Sequence, residues 1–243
     1  MTLRPLLLAA AVILAAPAAI AQKTPQATLE RFVELANAGQ LTTPEGQTLL
    51  TGEAKQMATG AKSALPAVDR IIPIGQDKAV ARFVLRGRSG EEADAYFYLD
   101  RTPQGWAVSA YRAMATTGIA MALLAELQKR PRLSAEEELE KLNLQLTLST
   151  DSQLRTWFAA NRAALEALAK SPPGDETSAR ARAIGVQSVN SDAAKGVDIL
   201  VGGMVDNLVG FMRPGPSGPP PIEPSRFIWI EDLGGGWFLY RTT

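Results

Sequence analysis

Apolar residues along the first hundred positions change their spacing once, and the change divides helices from strands. Leu29, Phe32, Val33 and Ala36 recur at i, i+3, i+4 and i+7, which places one apolar stripe on a helix. Thr24-Pro25 supplies an N-cap and a proline at the first helical position, and Gly39 supplies the stop. Thr43-Pro44 repeats the start signal and predicts a shorter helix over 44–51, with a helical turn over 53–62. From 68 onward the period becomes two. Segments 68–75, 78–86, 93–100 and 106–113 are rich in Val, Ile, Phe and Tyr, and turn sequences at 75–77, 87–90 and 102–105 separate them. They predict an antiparallel meander. In its third strand Ala95, Phe97 and Leu99 alternate with Asp94, Tyr96 and Tyr98, so an aliphatic face belongs to a core and the other face carries two phenols. Asp94 and Asp100 flank this strand, where solvated ends are expected.

A second cycle of helices and strands follows. Residues 116–129, with Ile119, Met121, Leu123, Leu124 and Leu127, predict an apolar helix ended by Lys129-Arg130-Pro131. It is too short for the roughly 20 residues of a membrane span and reads as a buried connector. Ser134 and Glu137 form a capping box ahead of Leu139, Leu142 and Leu146. Asp151 or Ser152 is expected to cap the next helix, whose Leu154, Trp157, Phe158, Leu165 and Leu168 share a stripe that ends at Ser171-Pro172. Strands are expected at 182–190, 197–203, 207–212, 226–231 and 236–242, with a bulge or bend at Gly202-Gly203. Between two of them, RPGPSGPPPIEP (213–224) favours polyproline II and predicts a stiff surface loop, with a partner's aromatic groove as the alternative role.

Two hairpins resemble one another. Laying 96–100 on 227–231 sets Gly105-Trp106 on Gly236-Trp237 with equal loop lengths. Each hairpin is preceded by helices and then strands, so the fold class is α+β, with two units in which helices pack on a curved antiparallel sheet. An ancient duplication and convergence both account for the likeness. The organisation is a signal peptide over 1–21, a first unit over 22–115, a helical connector over 116–133 and a second unit over 134–243.

The signal peptide is read from Arg4, the apolar run Leu6 to Leu14, Pro17 and the small-x-small site Ala19-Ile20-Ala21. The run is also too short for a good membrane anchor, so the mature chain is expected to start at Gln22 in the periplasm, with no membrane span. The chain has no His and no Cys. That removes imidazole bases, Ser-His-Asp triads, thiol nucleophiles and the usual zinc sites. Lys and Arg number 25 and Asp and Glu 25, which gives no electrostatic reason to bind nucleic acid. Neither a phosphate-binding loop nor a dinucleotide fingerprint is present, and no cofactor is assigned. Asn190, Ser191, Asp192 and Asp198 lack the glycine and terminal glutamate of a calcium loop, read as a polar turn, and no metal is assigned. Arg180, Arg182, Arg226 and Arg241 are candidate anion ligands, with exposed strand faces as the commoner case.

LERFVELANAG (29–39), DKAVARFVLRG (77–87) and AYFYLDRTPQGWAVSAYR (95–112) resemble the nuclear transport factor 2-like superfamily, a cone of helices on a bent sheet. The second half, around 201–214 and 226–243, looks like a family of uncharacterised exported bacterial proteins. The superfamily resemblance implies a conical pocket, used for small apolar ligands, for isomerase or dehydratase chemistry, or for protein binding. Tyr96, Tyr98, Asp94 and Asp100 are the nearby polar residues in this chain. Tyr96, Tyr98, Trp106, Trp229 and Trp237 are candidates for a pocket or its rim, with core packing as the plainer role for the tryptophans. No residue is assigned as catalytic. The expected function is a non-catalytic module for a small apolar ligand or an envelope protein. The alternatives are an isomerase or hydro-lyase using Tyr and Asp, and assembly as a homodimer.

Overall fold

The computed structural model describes residues 24–87, 90–172 and 174–243, so the expected signal peptide lies outside the described residues. Among these the chain is α+β, with seven helices and two antiparallel sheets. The first unit runs α1 (Pro25–Ala38), α2 (Pro44–Thr48), α3 (Gly52–Met57), then β1 (Arg70–Ile74), β2 (Lys78–Arg86), β3 (Glu92–Thr102) and β4 (Gly105–Ala113), paired in chain order as a meander. Thr24 Oγ1 accepts from the Ala27 N–H at 3.2 Å, and Gly39 closes α1 in the left-handed region at φ 73°. The α1 stripe of Leu29, Phe32 and Leu35 packs with Phe83, Phe97, Leu99 and Val108. Phe97 sits at its centre, 4.7 Å from Phe83 and 5.4 Å from Phe32 between ring centroids. Each Leu or Phe buried here contributes about 1.5–3 kcal/mol, so the stripe together outweighs the roughly 1 kcal/mol of the cap.

The connector α4 (Thr117–Gln128) corrects one expectation, because it is only half covered. Ala120 and Leu127 are buried, in a cluster with Leu144, while Ile119, Met121 and Leu123 are exposed. A helix that is apolar all round needs neighbours on every side, and among the described residues the extensive contact of α4 is with α5.

The second unit runs α5 (Ala135–Leu148), α6 (Asp151–Lys170), α7 (Asp175–Ala183), β5 (Ser188–Asp192), β6 (Gly196–Met204), β7 (Asn207–Pro214), β8 (Phe227–Gly234) and β9 (Trp237–Thr242). The expected strand over 182–190 begins only at Ser188, because 175–183 is helical. Acidic Asp175 and Glu176 in the first turn of α7, with Arg180 and Arg182 in its last, suit the helix dipole. The cap of α6 is Thr150, ahead of the expected Asp151 or Ser152. Its Oγ1 accepts from the Gln153 N–H at 3.3 Å and the Gln153 side chain returns to the Thr150 N–H at 2.8 Å, which leaves Asp151 free to point elsewhere. The pairing shifts at Gly202, where a β-carbon would fall 2.6 Å from Thr147 Oγ1 on α5.

The sheet order β5-β6-β7-β9-β8 differs from a meander. In the first unit the leading strand of the Gly-Trp hairpin, β3, joins the sheet. In the second it is the trailing strand, β9. The proline-rich connection carries the chain past β9's position, so β8 becomes an edge. That edge strand lies on the face of the first sheet opposite α1, where Ile228 and Trp229 pack with Val80, Tyr96, Tyr98 and Ala110. Both faces of β3 are therefore covered. Asp94, expected at a solvated end, is buried, while Asp100 remains half-exposed.

Candidate functional site

The outward side chains of β3 meet the second unit in a polar seam. Tyr96 stacks on Trp229 with centroids 5.0 Å apart, and its hydroxyl donates to Asp151 Oδ2 at 2.9 Å. Tyr98 donates to the carbonyl of Ile228 at 2.6 Å, and Trp229 Nε1 donates to Glu231 Oε2 at 3.3 Å. Asp151 Oδ1 accepts from Arg241 Nε at 2.7 Å, and the Asp151 N–H donates to Asp94 Oδ2 at 2.6 Å. Arg82 Nε donates to Asp69 Oδ2 at 2.9 Å, while its Nη1 stands 3.5 Å from Asp151 Oδ2. Glu231 takes Arg155 at 2.8 Å and also Arg70.

Burial decides the electrostatics of this seam. It pushes the Asp94 carboxyl up, to about 7, and the Asp151 charge adds to it against the pull of Arg241, the Asp151 N–H and Arg82. The Tyr96 phenol is raised well above its ordinary value, by burial and then by Asp151. Burial works against the Arg241 cation, but Tyr96, Asp151 and Asp94 outweigh it and hold its pKa above the ordinary value. None of these side chains lines a cavity described below. The seam joins the two units, with Asp94, Asp151, Tyr96 and Arg241 buried and Arg70, Asp69 and Arg155 at its exposed rim.

Of the residues singled out in the sequence, Asp94, Tyr96, Tyr98, Trp229 and Arg241 come together in this seam. Trp106 is half-buried against the first core, and Trp237 is fully buried in the second, 5.8 Å from Phe158. The four candidate arginines are spread out. Arg180 and Arg182 are on α7, Arg226 is exposed beside Phe227, and Arg241 is buried next to Asp151. Arg82 and Asp151 were missed, although a charge amid the apolar run Ala79–Leu85 was a readable sign for Arg82.

A cavity of about 890 Å³ opens on the other face of the second sheet, and none of its lining residues among those described belongs to a helix. Alternation along the strands turns Asp198, Leu208, Met212 and Tyr240 to this face, and Pro219, Pro220 and Pro221 of the proline loop fold over it. Tyr240 lies flat on Gly210, where a β-carbon would fall 2.5 Å from its hydroxyl oxygen. Its ring meets Phe227 edge-on at 5.8 Å. Asp198, opposite Asn190 and Met212 in the ladder, has a buried Oδ1 with no hydrogen-bond partner. Leaving such an acceptor unmade costs about 1–3 kcal/mol. Burial raises the Asp198 carboxyl above its ordinary value, against the opposing effect of Tyr240 and Asn190. Burial and the neighbouring Asp198 charge in turn raise the Tyr240 phenol.

The other carboxylate at this cavity, Asp192, is exposed and holds the turn that follows it. Asp192 Oδ1 accepts from the N–H groups of Ala194 and Lys195 at 2.8 and 2.9 Å. A separate groove of about 1000 Å³ runs along α5, where Lys141 pairs with Glu138 at 3.7 Å. Among the described residues, no group of three or more His, Cys, Asp or Glu suits a metal ion, and no helix is long and apolar enough to cross a membrane.

No protein-family model, curated protein or solved structure matches this chain.

Proposed function

We propose that this protein is a non-catalytic periplasmic binding module that holds a small, largely apolar ligand on the cavity-bearing face of its second sheet. The cavity under the proline loop carries this reading. Its volume, about 890 Å³, falls within the roughly 300–1,000 Å³ of small-molecule sites. Phe227, Tyr240, Leu208 and Met212 supply apolar walls, and Asp198 supplies one oriented polar group. The first unit acts as support, tied to the second through Tyr96, Trp229 and the ion pairs around Asp151. Helices followed by a four-stranded meander over 25–113 support a cone-like reading of that unit, and the signal-like run over 1–21 supports export.

Isomerase or hydro-lyase chemistry is the second reading, and Asp198 beside Tyr240 favours it, because a carboxyl raised by burial next to a phenol is a usual acid and base pair. Against it, a phenol held above its ordinary pKa is a poor proton donor near neutrality. Binding is the better fit.

Native mass spectrometry of the full-length product purified from its own periplasm tests the proposal. A bound mass lost on denaturation is expected, and it should be absent from a Leu208→Trp variant that fills the cavity yet melts cooperatively. A bare protein, or a mass that survives in the filled variant, overturns the reading.

A further inference from the structure

We infer that the ligand of this cavity carries a protonated amine on an apolar body, with Asp198 as its counter-ion. The inference rests on the binding reading above and adds the chemistry of the ligand. Asp198 Oδ1 is a buried acceptor with no hydrogen-bond partner, while Tyr240 and Asn190 act on the same carboxyl, in a wall that joins Leu208, Met212, Phe227 and Tyr240 to polar Asn190, Ser191 and Thr242. A ligand N–H supplies the missing hydrogen bond, and a cation also offsets the unfavourable burial of the carboxylate charge. A carboxylate ligand would instead place like charges together. The Tyr240 ring adds an electron-rich face that attracts an organic cation.

Two cations stand near the cavity, and they do not reverse this preference. Lys195 and Arg226 are exposed, and salt screens exposed charges over about 8–10 Å. Arg226 is also laid over the Phe227 ring at 5.3 Å. Asp192, the remaining acid, is exposed, and its Oδ1 accepts from two backbone donors. Of the two, Asp198 is the carboxylate with a buried, unpartnered oxygen.

The test uses the mature chain and three probes of similar shape: phenethylammonium, 2-phenylethanol and 3-phenylpropionate, titrated calorimetrically near neutral pH. The amine should bind at least about tenfold more tightly than the alcohol, with the carboxylate weakest. Asp198→Asn should erase the amine's advantage while the alcohol still binds, and Leu208→Trp should abolish all three. If the alcohol or the carboxylate binds as well as the amine in the wild-type protein, or if the advantage survives Asp198→Asn in a variant with unchanged circular dichroism, the amine inference falls and the binding reading stands. If no probe binds below about 10 mM, both fall. The wild-type ranking decides the matter even if Asp198→Asn fails to fold.

Discussion

The rings of Tyr96 and Trp229 stack 5.0 Å apart with planes inclined by 30°, so one aromatic pair bridges the third strand of the first unit and the edge strand of the second. Both side chains are fully buried. Trp229→Ala should therefore cost about 3–5 kcal/mol, a large share of the stability of an ordinary domain. In urea, the wild-type protein should unfold in one transition, and the variant should separate into two as the units lose their contact. Tyr98→Phe, which removes only the bond to the Ile228 carbonyl, should cost about 1 kcal/mol and keep a single transition.

Asp151 is shared by Arg241, Tyr96 and, at longer range, Arg82. Asp151→Ala should destabilise by about 3–5 kcal/mol, because two buried guanidinium groups lose their common partner. The paired change Asp151→Leu with Arg241→Met should recover much of that loss, since an apolar pair of similar volume replaces a pair that had to be desolvated. Guanidinium melts of the two variants and the wild-type protein check this. A double variant no better than Asp151→Ala would show that the remaining charges, Asp94 and Arg82, also depend on this pair.

The Asp94 carboxyl lies among Arg82, Arg241, Asp151 and Tyr96, and burial together with the Asp151 charge raises it to about 7. The folded state thus holds this proton more tightly than the unfolded chain does. Its contribution to stability is fully present below the ordinary carboxyl value near 3.8 and is lost as the pH rises through about 7. Melting temperatures from pH 4 to 8 should show this decline in the wild-type protein relative to Asp94→Asn, which cannot ionise there. Parallel curves for the two proteins would contradict the assignment.

Gly210 lies under Tyr240, and its backbone is outside the left-handed region, so alanine meets no conformational penalty there. The new methyl group would nevertheless stand about 2.5 Å from the Tyr240 hydroxyl oxygen. Gly210→Ala should lift the ring from the sheet, lower stability by about 1–3 kcal/mol and weaken phenethylammonium binding. Thermal melts and the same calorimetric titration read both effects.

Local spacing along the chain determined α1, α5 and α6, because a 3.6-residue stripe and a capping residue are written within one segment: Thr24 before Leu29, Ser134 with Glu137, Leu154 with Phe158. The strands of the first sheet were equally readable from their period of two and their glycine turns. The helix α7 was not, since DETSARARA is polar nearly all round and presents no stripe. Tertiary structure alone decided which way the second Gly-Trp hairpin enters its sheet, since strand order depends on the path of the proline connection and not on the pattern within a strand. It also decided the fate of every charge that matters. Asp94 beside Ala95, Asp198 beside Ile199 and Arg241 beside Tyr240 read like ordinary outward positions on half-buried strands. Alternation tells one face from the other within a strand, but whether the polar face meets water, an ion pair or a cavity depends on segments far away in the chain that fold over it.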